Sequence, residues 1–315
     1  MRMKIGFIKP NYPFEKRVAL FPEQVKRIVN ECVVECGFGV NLGFTDEEYE
    51  KNGARICQRS EIFRECDVIF SLKLVQPSDY DLIRVGQIIA GWTHPTGSGR
   101  KFMEIQAIPK SLVIIDFDNI YPSVYYKTKS FQIPFIKPNF IWENSYIAGK
   151  AAVLHAILTY GKMPDSNTKI AILSAGNVAQ GAFDVLAKFN PKIRLFNRRT
   201  MPLFYETIGE YDIIVSGVEM DTNGKHLLTF EQQKLIKRGC LVIDAAADAG
   251  NTFEGLEYTN IGEPIVEKEG VLYYCVNNAP SILFRESSET ASIAFEKVFY
   301  NRDINDFLGL IKYER

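Results

Sequence analysis

A chain of 315 residues with 46% apolar and 12% aromatic side chains can fill the cores of two domains, which excludes extended disorder. Lys and Arg number 37 against 38 Asp and Glu, a net charge of −1, so no overall field draws the chain to nucleic acid or an anionic membrane, and charged ligands must be met by local clusters. Six cysteines without a CxxC pair, and only three histidines, argue against a zinc cluster or other metal site and for reduced, mostly buried thiols.

The apolar N-terminal stretch is interrupted by Lys9, Glu15, Lys16 and Arg17, too soon for a signal peptide, so a cytoplasmic chain is expected. Strand-like runs follow at 4–8, 67–73, 87–92 and 112–118, separated by helical patterns such as 22–30. Continuous apolar strands between helices predict a parallel sheet covered on both faces. Residues 119–143, with Tyr121, Pro122, Tyr125, Tyr126, Pro134 and Pro138, read as a loop-rich connection or lid, and the first domain is expected to end near there. From Asn144 to Gly161 the sequence is apolar around most of a helix, which predicts burial between domains or subunits. Lys150 and His155 interrupt it, and it falls short of the ~20 residues needed to span a bilayer. A second βαβ series places strands at 169–174, 192–196, 212–217 and 240–245. Helical segments at 281–300 and near 303–313 are expected to pack back on the first domain.

Directly after the strand at 169–174, the run Ser174-Ala175-Gly176-Asn177-Val178-Ala179 sets Ser174, Gly176 and Ala179 at the three positions of a GxGxxG/A turn that opens a helix. Gly176 lets the backbone approach a pyrophosphate, Ala179 permits close packing of helix on strand, and the helix N-terminus offers unpaired N–H groups to the anion. The first glycine is replaced by Ser174. Twenty-one residues after Gly176, where a carboxylate would hold the ribose hydroxyls of NAD, stands Asn197, followed by Arg198 and Arg199. Paired guanidiniums suit a 2′-phosphate, so NADP(H) is the expected cofactor; a solvated basic turn is the plain alternative.

Three polar residues of the first domain lie at strand ends or loops: Arg17, Lys73 and His94. Arg17 can clamp a carboxylate, Lys73 can polarise or protonate a carbonyl oxygen, and His94 suits acid/base transfer. Singly, each also fits an ordinary surface or structural residue. His155 and His226, the latter in the loop 223–228, read as structural. The strand ending at Asp244 leads to Asp248 and Gly250; Asp244 can cap the turn, and Asp248 is the favoured functional acid, toward a substrate ammonium or the nicotinamide. The expected architecture is α/β, two doubly wound parallel-sheet domains with an interdomain cleft: a substrate-binding domain of 1–143 with 285–315, and a Rossmann dinucleotide-binding domain of 144–284.

The opening at 4–20 and the order of Lys73 and His94 resemble alanine dehydrogenases and, for the lysine and histidine, saccharopine dehydrogenases. A closer resemblance, running nearly end to end through 71–80, 91–99, 169–183 and 243–252, is to the N5-(carboxyethyl)ornithine synthases. It implies that NADPH drives the condensation of pyruvate with the side-chain amine of ornithine, and less readily lysine. It implies also that Arg17 binds the keto-acid carboxylate, that Lys73 and His94 serve the keto oxygen, that Asp248 lies beside the nicotinamide, and that the chain forms a homo-oligomer, a tetramer. The rival readings are an alanine- or saccharopine-dehydrogenase-like oxidoreductase and a non-catalytic NADP(H)-sensing protein.

Overall fold

The first sheet contains β1 (Lys4–Phe7), β2 (Glu31–Glu35), β3 (Arg55–Cys57), β4 (Val68–Ser71), β5 (Ile88–Gly91), β6 (Val113–Asp116), β7 (Ser123–Tyr126) and β8 (Lys129–Gln132), in the spatial order β3-β2-β1-β4-β5-β6-β7-β8. These belong to a computed structural model that describes residues 2–220 and 225–312. Pairing is parallel from β3 through β6 and antiparallel for β7 and β8. Successive side chains feed opposite cores. Phe7, Val34, Phe70, Ala90 and Ile115 enter one cluster with Phe295, Phe299 and Phe307 from the end of the chain, while Val33, Ile69, Ile89 and Ile114 enter another with Ile62, Phe63 and Phe102. Two buried faces explain why these strands read as continuous apolar runs.

The second sheet is built of β9 (Lys169–Leu173), β10 (Lys192–Phe196), β11 (Ile213–Ser216), β12 (Leu241–Asp244), β13 (Ile265–Lys268) and β14 (Val271–Tyr274), ordered β10-β9-β11-β12-β14-β13 with only the β13/β14 pair antiparallel. The same alternation holds: Ile170, Ile172 and Val215 face one core, Ala171, Leu173 and Ile214 the other. The helix Trp142–Tyr160 lies against the helix Asn177–Ala187. A Cβ on Gly149 would come within 1.9 Å of the Val178 carbonyl oxygen, and one on Gly181 within 1.9 Å of that of Tyr146, so both glycines are required by this close crossing. Packing divides the chain into two units, Met1–Ile141 with Ser288–Arg315, and Trp142–Ser287. Among the described residues, no helix is long and apolar enough to cross a membrane.

Two parallel-dominated sheets flanked by helices match the expected fold class, and the eight expected strands are present, trimmed by up to two residues at an end. Three details differ. Residues 22–30 form only a 3-10 turn over Pro22–Arg27, because Val29 N–H bonds to Tyr300 O at 2.9 Å instead of to its own helix. β2, β3 and the antiparallel pair β13/β14 are not among the expected strands, the first two because their apolar runs are too short to register as periodic. The stretch 119–143 contains the β7/β8 hairpin, turning at Lys127 with φ +53°, so it extends the sheet instead of forming only a loop or lid; Pro122 and Pro134 bracket the hairpin without breaking it. Asn223 and Gly224, and residues 313–315 at the expected end of the first domain, lie outside the described residues.

Candidate active site

In the first unit the strand order reverses between β1 and β4, and the carboxyl ends of the strands around such a reversal are open to ligands. Lys73 lies two residues beyond β4, His94 three beyond β5, and Asp118 two beyond β6. Arg17 arrives on the segment after β1. That segment is fixed by Ser288 Oγ accepting from Val18 N–H at 2.9 Å, by Tyr300 O–H donating to Ala19 O at 2.5 Å, and by Tyr49 O–H donating to Leu20 O at 2.8 Å.

Arg17 is buried, its guanidinium 4.9 Å from the Trp92 ring centre and forked onto Glu15, with Nε to Oε1 at 2.8 Å and Nη2 to Oε2 at 2.6 Å. Burial pushes the Glu15 carboxyl up, but the Arg17 charge and hydrogen bonds, aided by Lys73, overcome it and hold the group at about 2. Lys73, over the Tyr12 ring at 5.4 Å, is pushed down to about 8 by burial and then by Arg17, against the opposing pull of Glu15 and Asp118. Asp118 Oδ2 in turn meets His94 Nδ1 at 2.5 Å. Arg17, Lys73 and His94, singled out one by one in the sequence, thus form one linked set through two acids that the sequence reading passed over.

The His94 loop is strained and over-determined. His94 has φ +47°, and its carbonyl accepts from Gly97 and Gly99 N–H at 3.0 and 2.9 Å. Asp116, wholly buried, accepts at Oδ1 from Thr93 N–H (2.9 Å), Thr93 O–H (2.8 Å) and His94 N–H (3.2 Å), and at Oδ2 from the Asn119 amide at 2.7 Å. One carboxyl therefore joins the loop carrying His94 to the loop carrying Asp118. Burial and then the Asp118 charge push the Asp116 carboxyl up.

In the second unit, the turn after β9 has the form a dinucleotide needs. Gly176 precedes the eleven-residue helix Asn177–Ala187, and a Cβ on Gly217 would stand 2.8 Å from the Ala179 nitrogen, so helix and strand meet as closely as the small residue permits. Ser174 takes φ +135°, ordinarily a glycine conformation, and its hydroxyl accepts from Gly176 N–H at 3.0 Å. Asn197 orders the next turn by accepting from Arg199 N–H at 2.9 Å, while the Arg198 and Arg199 side chains are exposed and make no ion pair among the described residues. These features fit a dinucleotide: an open cradle beside a helix N-terminus, with unpaired cations at the neighbouring strand end.

Asp248 joins its own loop to the segment that follows β11. Its Oδ2 accepts from Met220 N–H at 2.7 Å and its Oδ1 from the Asn251 amide at 2.7 Å. Asp244, wholly buried, accepts from Asp248 N–H at 3.2 Å and faces Cys275 Sγ at 3.6 Å, while its Oδ1 has no partner among the described residues. Burial, and then the Asp248 charge, push the Asp244 carboxyl up to about 7. His155 Nδ1 meets Tyr274 O–H at 3.2 Å and His226 Nδ1 meets Asn251 O at 3.1 Å. All six cysteines are free thiols, and no group of metal-ligating side chains is found among the described residues.

Comparison with known proteins gives the following likenesses. The alanine dehydrogenase/PNT N-terminal domain matches residues 8–123, and the alanine dehydrogenase/PNT C-terminal domain matches residues 171–304. The chain is 53% identical to N(5)-(carboxyethyl)ornithine synthase of Clostridium botulinum, with 98% of each chain covered. It is 46% identical to the protein of the same name from Lactococcus lactis subsp. lactis strain IL1403, over 98% of this chain and 99% of the other. A solved structure of L-alanine dehydrogenase has the same fold, with a TM-score of 0.78 at 18% identity over 99% of this chain and 92% of that one.

Proposed function

Since the chain belongs to the alanine dehydrogenase/PNT family, a nicotinamide dinucleotide-binding fold, we propose that it is an oxidoreductase that joins pyruvate to the side-chain amine of ornithine or lysine at the expense of NADPH. The products are N5-(1-carboxyethyl)ornithine and N6-(1-carboxyethyl)lysine. The observation that carries this reading is the linked set Arg17–Glu15, Lys73 and Asp118–His94, in a chain alike from end to end to enzymes named for that product. A cytoplasmic homotetramer is part of the same proposal.

Arg17 and Lys73 supply the positive charge that receives the keto-acid carboxylate. Because Glu15 fills the edge of Arg17 formed by Nε and Nη2, the Arg17 contribution is a held charge more than an empty fork. The neutral amine attacks the keto carbon, and a proton delivered to the former keto oxygen lets it leave as water, giving an imine. His94 is suited to that delivery: with Nδ1–H given to Asp118, Nε2 is the nitrogen that exchanges protons with substrate. Lys73, held at about 8, also changes protonation near neutral pH without a large cost. When bound, the reduced nicotinamide would supply a hydride to the imine carbon, and a proton taken up at the nitrogen completes the secondary amine. Ser174 through Ala179 would hold the pyrophosphate, and Arg198 and Arg199 the 2′-phosphate. Asp248, through its bonds to Met220 and Asn251, would keep the neighbouring loop in shape.

Incubation with NADPH, pyruvate and a panel of amines, with mass analysis of products, tests the reading: ornithine or lysine should gain a carboxyethyl group. Alanine formed from ammonia, with no adduct on either diamine, would instead identify an alanine dehydrogenase. Replacing both Arg198 and Arg199 by Ala should raise the KM for NADPH about 10- to 100-fold, the worth of one or two hydrogen bonds to a charged group, with little change for NADH. Equal effects on the two cofactors would refute the 2′-phosphate assignment.

A further inference from the structure

Arg59 touches none of the groups above, yet its guanidinium makes four hydrogen bonds. It opens the helix Arg59–Glu65, and its side chain is largely buried. Nε and Nη2 fork onto Asp79 at 2.8 and 2.7 Å, and Nη1 donates to Glu35 Oε2 and to the Lys9 carbonyl, both at 2.8 Å. The partners are linked in their turn. Asp79, itself buried, accepts from the Asn11 amide at 3.3 Å, and Glu35 accepts from Lys9 N–H at 2.7 Å. One guanidinium therefore ties together three chain segments: that leaving β1, the end of β2, and that leaving β4.

Two of these segments carry the site. Lys9 and Asn11 lead into Tyr12, Glu15 and Arg17, and Asp79 stands six residues after Lys73. We propose that Arg59, with Asp79 and Glu35, is a positioning device that holds the Arg17 segment and the Lys73 segment in register for the keto acid. The physical argument is one of geometry and charge. A planar fork on a carboxylate fixes orientation as well as distance, which an ammonium does not. Without the guanidinium, two buried carboxylates lose their shared cation, and among the described residues Lys9 Nζ, 3.8 Å from Glu35, is the one other cation paired with either, so the segments move apart. Small misplacements of binding groups weaken a reaction that depends on them.

The test uses Arg59→Gln, Arg59→Lys and Asp79→Asn in the full chain, by amide hydrogen exchange and by steady-state kinetics. In each variant, peptides spanning 9–17 and 72–80 should both exchange faster, with those spanning 169–187 unchanged. The KM for pyruvate should rise at least tenfold, with NADPH binding by fluorescence unaltered. A merely structural role would lower the folded fraction and the Tm but leave the KM of the surviving enzyme at its wild-type value. The kinetic arm rests on the condensation proposed above and the exchange arm does not. Wild-type protein without that activity would count against the condensation alone, whereas unchanged exchange in both segments would overturn the positioning role. Should Arg59→Gln fail to fold, Arg59→Lys, which keeps the charge, decides: wild-type exchange, or a wild-type KM in active enzyme, sinks the proposal.

Discussion

His94→Ala slows turnover by roughly 10²- to 10⁴-fold, the range for loss of a general acid or base, while NADPH still binds. The expectation rests on the short contact between His94 Nδ1 and Asp118, which fixes the ring, and on the loop that Asp116 anchors. Lys73→Ala should be impaired to a similar degree. Asp118 both pairs with His94 and acts electrostatically on Lys73, and if the two groups serve one reacting oxygen, as proposed, the double variant should lose far less than the product of the single losses. Lys73 also gives the profile a signature: a pKa lowered to about 8 means that the ammonium is lost as pH rises through 8, and Lys73→Arg should remove that limb from the pH dependence of kcat/KM. Single-turnover reduction followed alongside thermal unfolding separates chemistry from stability. Full activity in either alanine variant, or strictly multiplicative losses, would refute the shared site.

A large effect of a different kind is expected at Asp244. Its carboxyl is held near 7 in the folded chain against 3.8 in the absence of burial, so between those values the native state binds more protons than the unfolded state. Stability contributed by the protonated form is present below about 4, declines as pH rises toward 7, and is absent above it. Asp244→Asn keeps an acceptor for Asp248 N–H and never ionises. Its stability relative to wild type should therefore grow by about 4 kcal/mol, an upper figure from ~3 pKa units, between pH 4 and pH 8. Urea unfolding of both proteins at the two pH values measures this. An advantage that is the same at both would show that Asp244 does not carry the proton.

Eight of the fourteen strands and the dinucleotide turn were legible in the sequence because both are local patterns: short apolar runs, and a small-residue turn between strand and helix. Arg17, Lys73 and His94 were legible because strand ends and residue chemistry single them out. The same rule points to Asp116, the last residue of β6, and Asp118, two residues beyond it, but the apolar run 112–118 that contains them reads first as a strand. Arg59 offered no such signal. Its partners lie 20 residues ahead and 24 and 50 behind, and only the order of β1, β2 and β4 in the sheet brings them to one guanidinium. The hairpin at 123–132 was obscured by its flanking prolines, which are read as breakers when they stand at the borders of an edge element.

The return of the chain end to the first unit has a consequence for biosynthesis. The core formed by Phe7, Phe70 and Phe117 is completed by Phe295, Phe299 and Tyr300, more than 170 residues downstream of Phe117. A nascent chain therefore carries this half-built core, with its aromatic rings unmatched, through the whole synthesis of the second unit. The second unit, by contrast, is one unbroken stretch and can fold as it emerges. The first unit begins before the second and is completed after it, so its aromatic face stays uncovered until Phe295, Phe299 and Tyr300 have emerged.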